Sequence, residues 1–229
     1  MSEGQVFVSL LVKLGLLALL AGTLVRRRHR ECLAFPAYLA LVLLGDTMVS
    51  VWPERFYQAW FWYLQQSLWD AAKLGVGLEI AFRAFRAFPG ARPAVQSLLG
   101  LVLALTTASV VSVPSGLSHD AVVFEWHPRV LAGTIWLMTA LMMVIVYYRL
   151  PIRPFQLAIL SGFVPYLLLF VTLLNVLRHR GWDVRPWVNL ADACCYLAVV
   201  SFWTVAAWRK DAKPAAAPQV IRRLSLGPA

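Results

Sequence analysis

Apolar residues run along this chain in seven blocks, at about 5–25, 33–52, 58–84, 95–113, 129–148, 155–177 and 186–208. The blocks are nearly apolar all round, without the polar stripe of a helix that lies on a soluble core. About 20 residues at 1.5 Å each match the hydrocarbon thickness of a bilayer. The pattern predicts an all-α polytopic integral membrane protein. Its seven-transmembrane-helix bundle occupies residues 1–208, and a basic, flexible tail follows at 209–229. Breaks between blocks carry turn residues: the basic run Arg26, Arg27, Arg28 and Arg30, then Pro53, Pro89-Gly90, Pro114-Ser115-Gly116, Pro151, and Gly181 with Pro186. Pro36 and Pro154 sit where a first helical turn tolerates them. Gly162 and Pro165 are expected to kink the sixth span.

Composition supports this reading. Of 229 residues, 60% are hydrophobic and 14% charged, and mean hydropathy is +0.69. A soluble domain is nearer half apolar and a quarter charged, so soluble, disordered and disulfide-stapled classes are excluded. The net charge of +10 lies mostly at span ends. It orients the chain and meets anionic lipid rather than nucleic acid, because no basic stripe is interleaved with aromatics on a soluble surface. With the N-terminus outside, 14 of the 21 Lys and Arg fall on the inner side and five on the outer side, while Lys13 and Lys73 lie within spans. The expected orientation is therefore N-terminus out and C-terminus cytoplasmic. Basic residues follow the first block rather than precede it, unlike a cleaved signal peptide.

Charge inside a span is costly and marks candidate function. Asp46, Asp70, Lys73, Glu79 and Asp192 lie within blocks together with Lys13. All but Glu79 fall in the outer half or near the midplane, where Gln65, Gln66, Asn175 and Asn189 also lie. Asp46, Gln66, Asp70, Lys73, Asn189 and Asp192 are therefore the candidate lining of an outward polar vestibule, and Glu79 with Arg83 the inner-half charge. On the third span, Gln66, Asp70, Lys73 and Gly77 share one helical face. The structural alternative stays open. Asp70 can pair with Lys73 three residues on, Glu79 can pair with Arg83 four residues on, and such pairs fix helix register with no ligand.

Aromatic residues crowd the outer segments, with Trp60, Phe61, Trp62 and Tyr63 in succession, as interfacial belts require. His29, His119, His127 and His179 are all placed in loops, which leaves no pair of axial haem ligands across the bundle. No cofactor and no metal site is expected. Cys32, Cys194 and Cys195 have no CxxC spacing and read as small apolar residues.

Several local runs resemble one known family: Arg26-Arg27-Arg28, Phe35-Pro36-Ala37-Tyr38, the aromatic run over 56–63, and Glu79 with the Phe/Arg-rich run over 82–92. They resemble a widespread family of bacterial seven-helix membrane proteins to which no activity is assigned. The resemblance implies a bacterial inner-membrane location and a glutamate at the Glu79 position. It does not extend to Asp70 and Lys73.

These features lead to ordered expectations of function. The first is a receptor-like sensory or scaffold protein with an outward vestibule and a basic inner face that contacts a cytoplasmic protein. The second is a small-solute or ion transporter, and the third a membrane-embedded lipid enzyme. Oligomeric state is left open.

Overall fold

The computed structural model describes residues 3–86, 100, 122–148, 150 and 152–210. The expected span over 95–113, the turns at Pro89-Gly90 and Pro114-Gly116, and the tail beyond Lys210 lie outside the described residues. The described residues are all-helical. Helix α1 is Glu3–Val25, α2 Ala34–Val51, the short α3 Pro53–Phe56, α4 Ala59–Arg86, α5 His127–Tyr147, α6 Pro154–Arg180 and α7 Arg185–Trp208. Five segments are long and apolar enough to cross a membrane: Gly4–Val25, Ala34–Val51, Val123–Tyr147, Pro154–Arg180 and Trp182–Trp208. Helix α4 has the length but carries four charges between Asp70 and Arg83.

Among the described residues the closest packing between long helices runs in a ring, from α1 to α2, α4, α5, α6 and α7 and back to α1. Neighbours α1 and α2, α2 and α4, α5 and α6, and α6 and α7 are antiparallel. Two pairs run parallel. Helix α1 follows α7, since Gln5 Nε2 donates to Pro186 O (3.0 Å) and Trp208 Nε1 to Ala18 O (3.1 Å). Helix α4 follows α5, since Asp70 meets His127 and Gly77 faces Leu137 and Met138. The ring therefore has an amino end, where α1, α4, α5 and α7 begin, and a carboxy end, where they finish.

Lipid tails are as apolar as leucine, so close packing and polar links must hold these helices together. The carboxy half is filled by an aromatic knot. Phe35 stands edge-on to Phe155, Phe163 and Trp203, with centroids 5.2–6.2 Å apart. Each such ring pair contributes about 0.5–1.5 kcal/mol beyond its buried area. Gly162 gives the Trp203 indole its seat, and Trp203 Nε1 donates to Ala158 O (3.0 Å). Ile80, Ile159 and Leu160 complete the packing. Helix α6 stays continuous through Pro165.

Candidate functional site

The polar side chains fall into two groups, one in each half of the ring. In the carboxy half they are engaged in holding the backbone. The α1–α2 connection is tucked inward, and α2 begins beside the inner part of α4. A helix start leaves four amide N–H groups without intrahelical acceptors. The Glu79 carboxylate takes two donors there, from Leu33 N (2.9 Å) and Ala34 N (2.7 Å), and the Cys32 thiol donates to it as well. Arg83 donates to Glu79 through Nε and Nη2 (2.9 and 2.6 Å) and to Arg30 O through Nη1 (2.7 Å). Burial, and then the Glu79 carboxylate beside it, pushes the Cys32 thiol up to about 12.

The sequence places Arg28 in the basic run between the first two blocks and marks no role for Glu31. Both are buried, at 4% exposure. Glu31 accepts from Arg28 Nη1 (3.0 Å) and Arg153 Nη1 (3.1 Å), and its carbonyl accepts from Gln156 Nε2 (2.8 Å). Arg28 Nη2 also donates to Arg209 O (2.6 Å), which ties the first connection to the end of α7. A lone acid three residues after an arginine in a basic loop was the available sequence signal.

The amino half holds the candidate site. Asp70 and Lys73, one turn apart on α4, form an ion pair at 2.8 Å with 4% and 5% exposure. His127 completes the group from α5. Its Nε2 lies 3.1 Å from Asp70 Oδ2, close in distance but not aligned as a hydrogen bond. This corrects the sequence expectation that every histidine lies in a loop. Pro128 reads as a helix start, but a π-helical turn over Val122–Trp126 precedes α5 and carries His127 into the bundle at 1% exposure. Its ring touches Trp62 (6.2 Å) and Phe170 (5.8 Å). Neither ring nitrogen makes a hydrogen bond among the described residues.

From Phe170 the polar groups continue across the ring. Phe170 stacks on Tyr166 (6.3 Å), whose hydroxyl donates to Asp192 Oδ1 (3.2 Å). Tyr166 packs on Tyr196 (5.1 Å), and the Tyr196 and Tyr38 hydroxyls share a hydrogen bond (3.3 Å). Tyr38 lies within electrostatic reach of Asp46, Asp70 and Asp192. Asp46 is half-buried on α2, and no hydrogen bond reaches its carboxylate among the described residues. The Gln65 side chain lies over Gly45 at 8% exposure and makes no hydrogen bond among the described residues. Lys13 lies within electrostatic reach of Asp46 and donates to Ser50 Oγ (2.5 Å).

No protein-family model, curated protein or solved structure matches this chain. None of these comparisons supports the resemblance to the bacterial seven-helix family.

Of the six expected lining residues, Asp46, Asp70, Lys73 and Asp192 gather around the tyrosines. Gln66 is half-buried and forms no hydrogen bond among the described residues, and its neighbour Gln65 turns inward instead. Asn189 is exposed on α7 and does not join the group. Among the described residues no three His, Cys, Asp or Glu side chains converge as a metal site would require, and His119 and Asp120 lie outside them.

Proposed function

We propose that this protein is a seven-helix integral membrane protein of the bacterial inner membrane, with its N-terminus outside and its C-terminus in the cytoplasm. It acts as a receptor-like sensory protein. A ligand enters from outside into the polar amino half, and the basic inner face passes the bound state to a cytoplasmic protein. One observation carries this reading: Asp46, Asp70, Lys73, His127 and Asp192 lie in the amino half on four helices, whereas Arg28, Glu79, Arg83 and Gln156 in the carboxy half bond backbone groups. Ionisable groups at membrane depth are costly, and where they meet they mark a site.

The parallel course of α4 and α5 supports the span at 95–113. A chain that leaves α4 at the carboxy end must return to the amino end before α5 begins. The excess of Lys and Arg at the carboxy end supports the orientation. Transport ranks second. It needs a polar route through the carboxy half, and Glu79, the sequence candidate for that route, is engaged in capping α2. A lipid enzyme ranks third, with Asp70 and His127 as its candidate acid–base pair.

Single-cysteine labelling tests this. Cys32, Cys194 and Cys195 are replaced, and one cysteine is placed at position 46, 79 or 192. A membrane-impermeant thiol reagent is then applied to cells and to inverted vesicles. Labelling at 46 and 192 only from outside is the expected result. Labelling from both sides moves transport to first place. No labelling at any position makes these charges internal staples of a scaffold.

A further inference from the structure

We propose that the polar amino half takes up one proton, bound at Nδ1 of His127, with Asp70 and the rings of Trp62 and Phe170 holding the imidazolium that results. The inference rests on the sensory reading above and names its ligand. A proton needs no cavity, only a basic atom left free for it.

His127 supplies that atom. Its Nε2 lies 3.1 Å from Asp70 Oδ2. Two lone pairs facing each other at that distance would repel, so the proton of the neutral ring sits on Nε2, on the side of the carboxylate. Nδ1 is then the nitrogen that gains and loses a proton. It is buried, and no donor reaches it among the described residues. Buried side-chain nitrogens are nearly always hydrogen-bonded, and a bare one calls for a use.

The surroundings can carry the charge. Lys73 Nζ lies 2.8 Å from Asp70 Oδ1, while His127 faces Oδ2, so the carboxylate offers one oxygen to each cation. The rings of Trp62 and Phe170 stand edge-to-face with the imidazole, with centroids 6.2 and 5.8 Å away. Ring faces attract cations at about this distance. In the same half, Asp46, Asp70 and Asp192 stand against Lys13 and Lys73, so one added proton brings the charges to balance.

Other titratable groups lie further off. On α6, Arg178, His179 and Arg180 begin eight residues beyond Phe170, about 12 Å along the helix. Glu125 and Arg129 flank His127 on its own segment, the first half-buried and the second exposed. The block over 95–113 contains no ionisable side chain. His127 is four residues, about 6 Å, from the amino end of the Val123–Tyr147 segment, so with the N-terminus outside its proton comes from the outer water.

The test is magic-angle-spinning NMR of the full chain in lipid bilayers with 15N-labelled histidine, because the shift of each ring nitrogen reports whether it bears a proton. His127 is assigned in a chain carrying His29→Gln, His119→Gln and His179→Gln, and independently by the loss of its signals in His127→Gln. Two assignments keep the proposal open to refutation if one variant fails to fold. Spectra from about pH 8 to about pH 5 cover the range in which histidine side chains change charge. The expected result is a protonated Nε2 and a bare Nδ1 at the upper end, and both protonated at the lower end. Asp70→Asn should weaken proton uptake by about tenfold or more, and Lys73→Met should strengthen it, because the two remove neighbouring charges of opposite sign. The proposal is overturned if Nδ1 stays bare at the acid end, if both nitrogens are protonated throughout, or if the bare nitrogen is Nε2. It is equally overturned by a midpoint that neither substitution moves. Labelling of positions 46 and 192 from outside with an inert His127 removes the proton and keeps the sensory reading. A titrating His127 with no labelling keeps the proton site and removes that reading.

Discussion

Replacing Lys73 by Met isolates the central ion pair of the amino half. Both partners are almost fully buried, so solvent screening does little to weaken their attraction. Removing one member of such a pair leaves the other charge stranded, at a cost of about 3–5 kcal/mol. His127 Nε2, 3.1 Å from Asp70, gives the stranded carboxylate partial relief, which places Lys73→Met near the lower end, about 3 kcal/mol. Asp70→Asn strands the Lys73 ammonium, whose one hydrogen-bond acceptor among the described residues is Asp70, and should cost about 4 kcal/mol. With both replaced, no charge is stranded, and a similar volume of less polar side chain stays in place. The double variant should therefore lie within about 1–2 kcal/mol of wild type rather than near the sum of the two losses. Reversible unfolding in mixed micelles, titrated with a denaturing detergent and read by tryptophan fluorescence, measures all four proteins. A double variant as damaged as the sum of its parents would refute the pairing argument, because it means that the two side chains contribute independently.

Four further outcomes follow from the same geometry. Glu79→Ala removes the acceptor of two backbone donors at the start of α2 and should cost about 2–3 kcal/mol in the same unfolding assay. Arg83→Met should cost under about 1 kcal/mol, because Arg83 is 39% exposed and screened. Gly162→Ala places a methyl group against the Trp203 indole and should cost about 1–3 kcal/mol with a shift in the tryptophan emission maximum; an unchanged Tm and spectrum would contradict the packing described. The Cys32 thiol is raised from its ordinary 9.0 to about 12, so the unfolded chain releases this proton first as pH rises. The thiol's contribution to stability is complete below about pH 9 and falls progressively towards pH 12, and Cys32→Ala should flatten that part of the alkaline stability profile.

Element positions were legible in the sequence because twenty-residue apolar blocks admit one interpretation. The six described blocks coincide with α1, α2, α4, α5, α6 and α7 to within about three residues. Which face of each helix turns inward was mostly illegible. In a soluble helix the apolar stripe marks the core, but here lipid and core are both apolar, and the pattern loses its pointer. Only charged positions kept one: Asp70, Lys73 and Glu79 turn inward because a lipid-facing charge costs too much. Uncharged amides gave no such signal, so Asn189 faces outward while Gln65, rather than Gln66, is buried over Gly45. His127 was missed for a local reason. Pro128 looks like a first helical residue, and nothing in the composition of the preceding turn announces that the helix has already begun. Arg28 and Glu31 were missed because a run of arginines reads as a surface in one dimension, while the fold draws one of them beneath the others.

The ring order also bears on how the protein is made. Its seam joins α1 to α7, far apart in the order of synthesis, through Gly15 against Val200, Gly22 against Trp208, and Arg28 on Arg209 O. Until α7 leaves the ribosome, the face of α1 that bears Leu16 and Leu19 has no permanent neighbour, and the membrane insertase or lipid must stand in for it. A chain that stops before residue 185 should therefore reach the bilayer yet persist as an open arc, exposed to the quality-control proteases that patrol it. The last two dozen residues of the helical domain set the time at which the protein becomes durable.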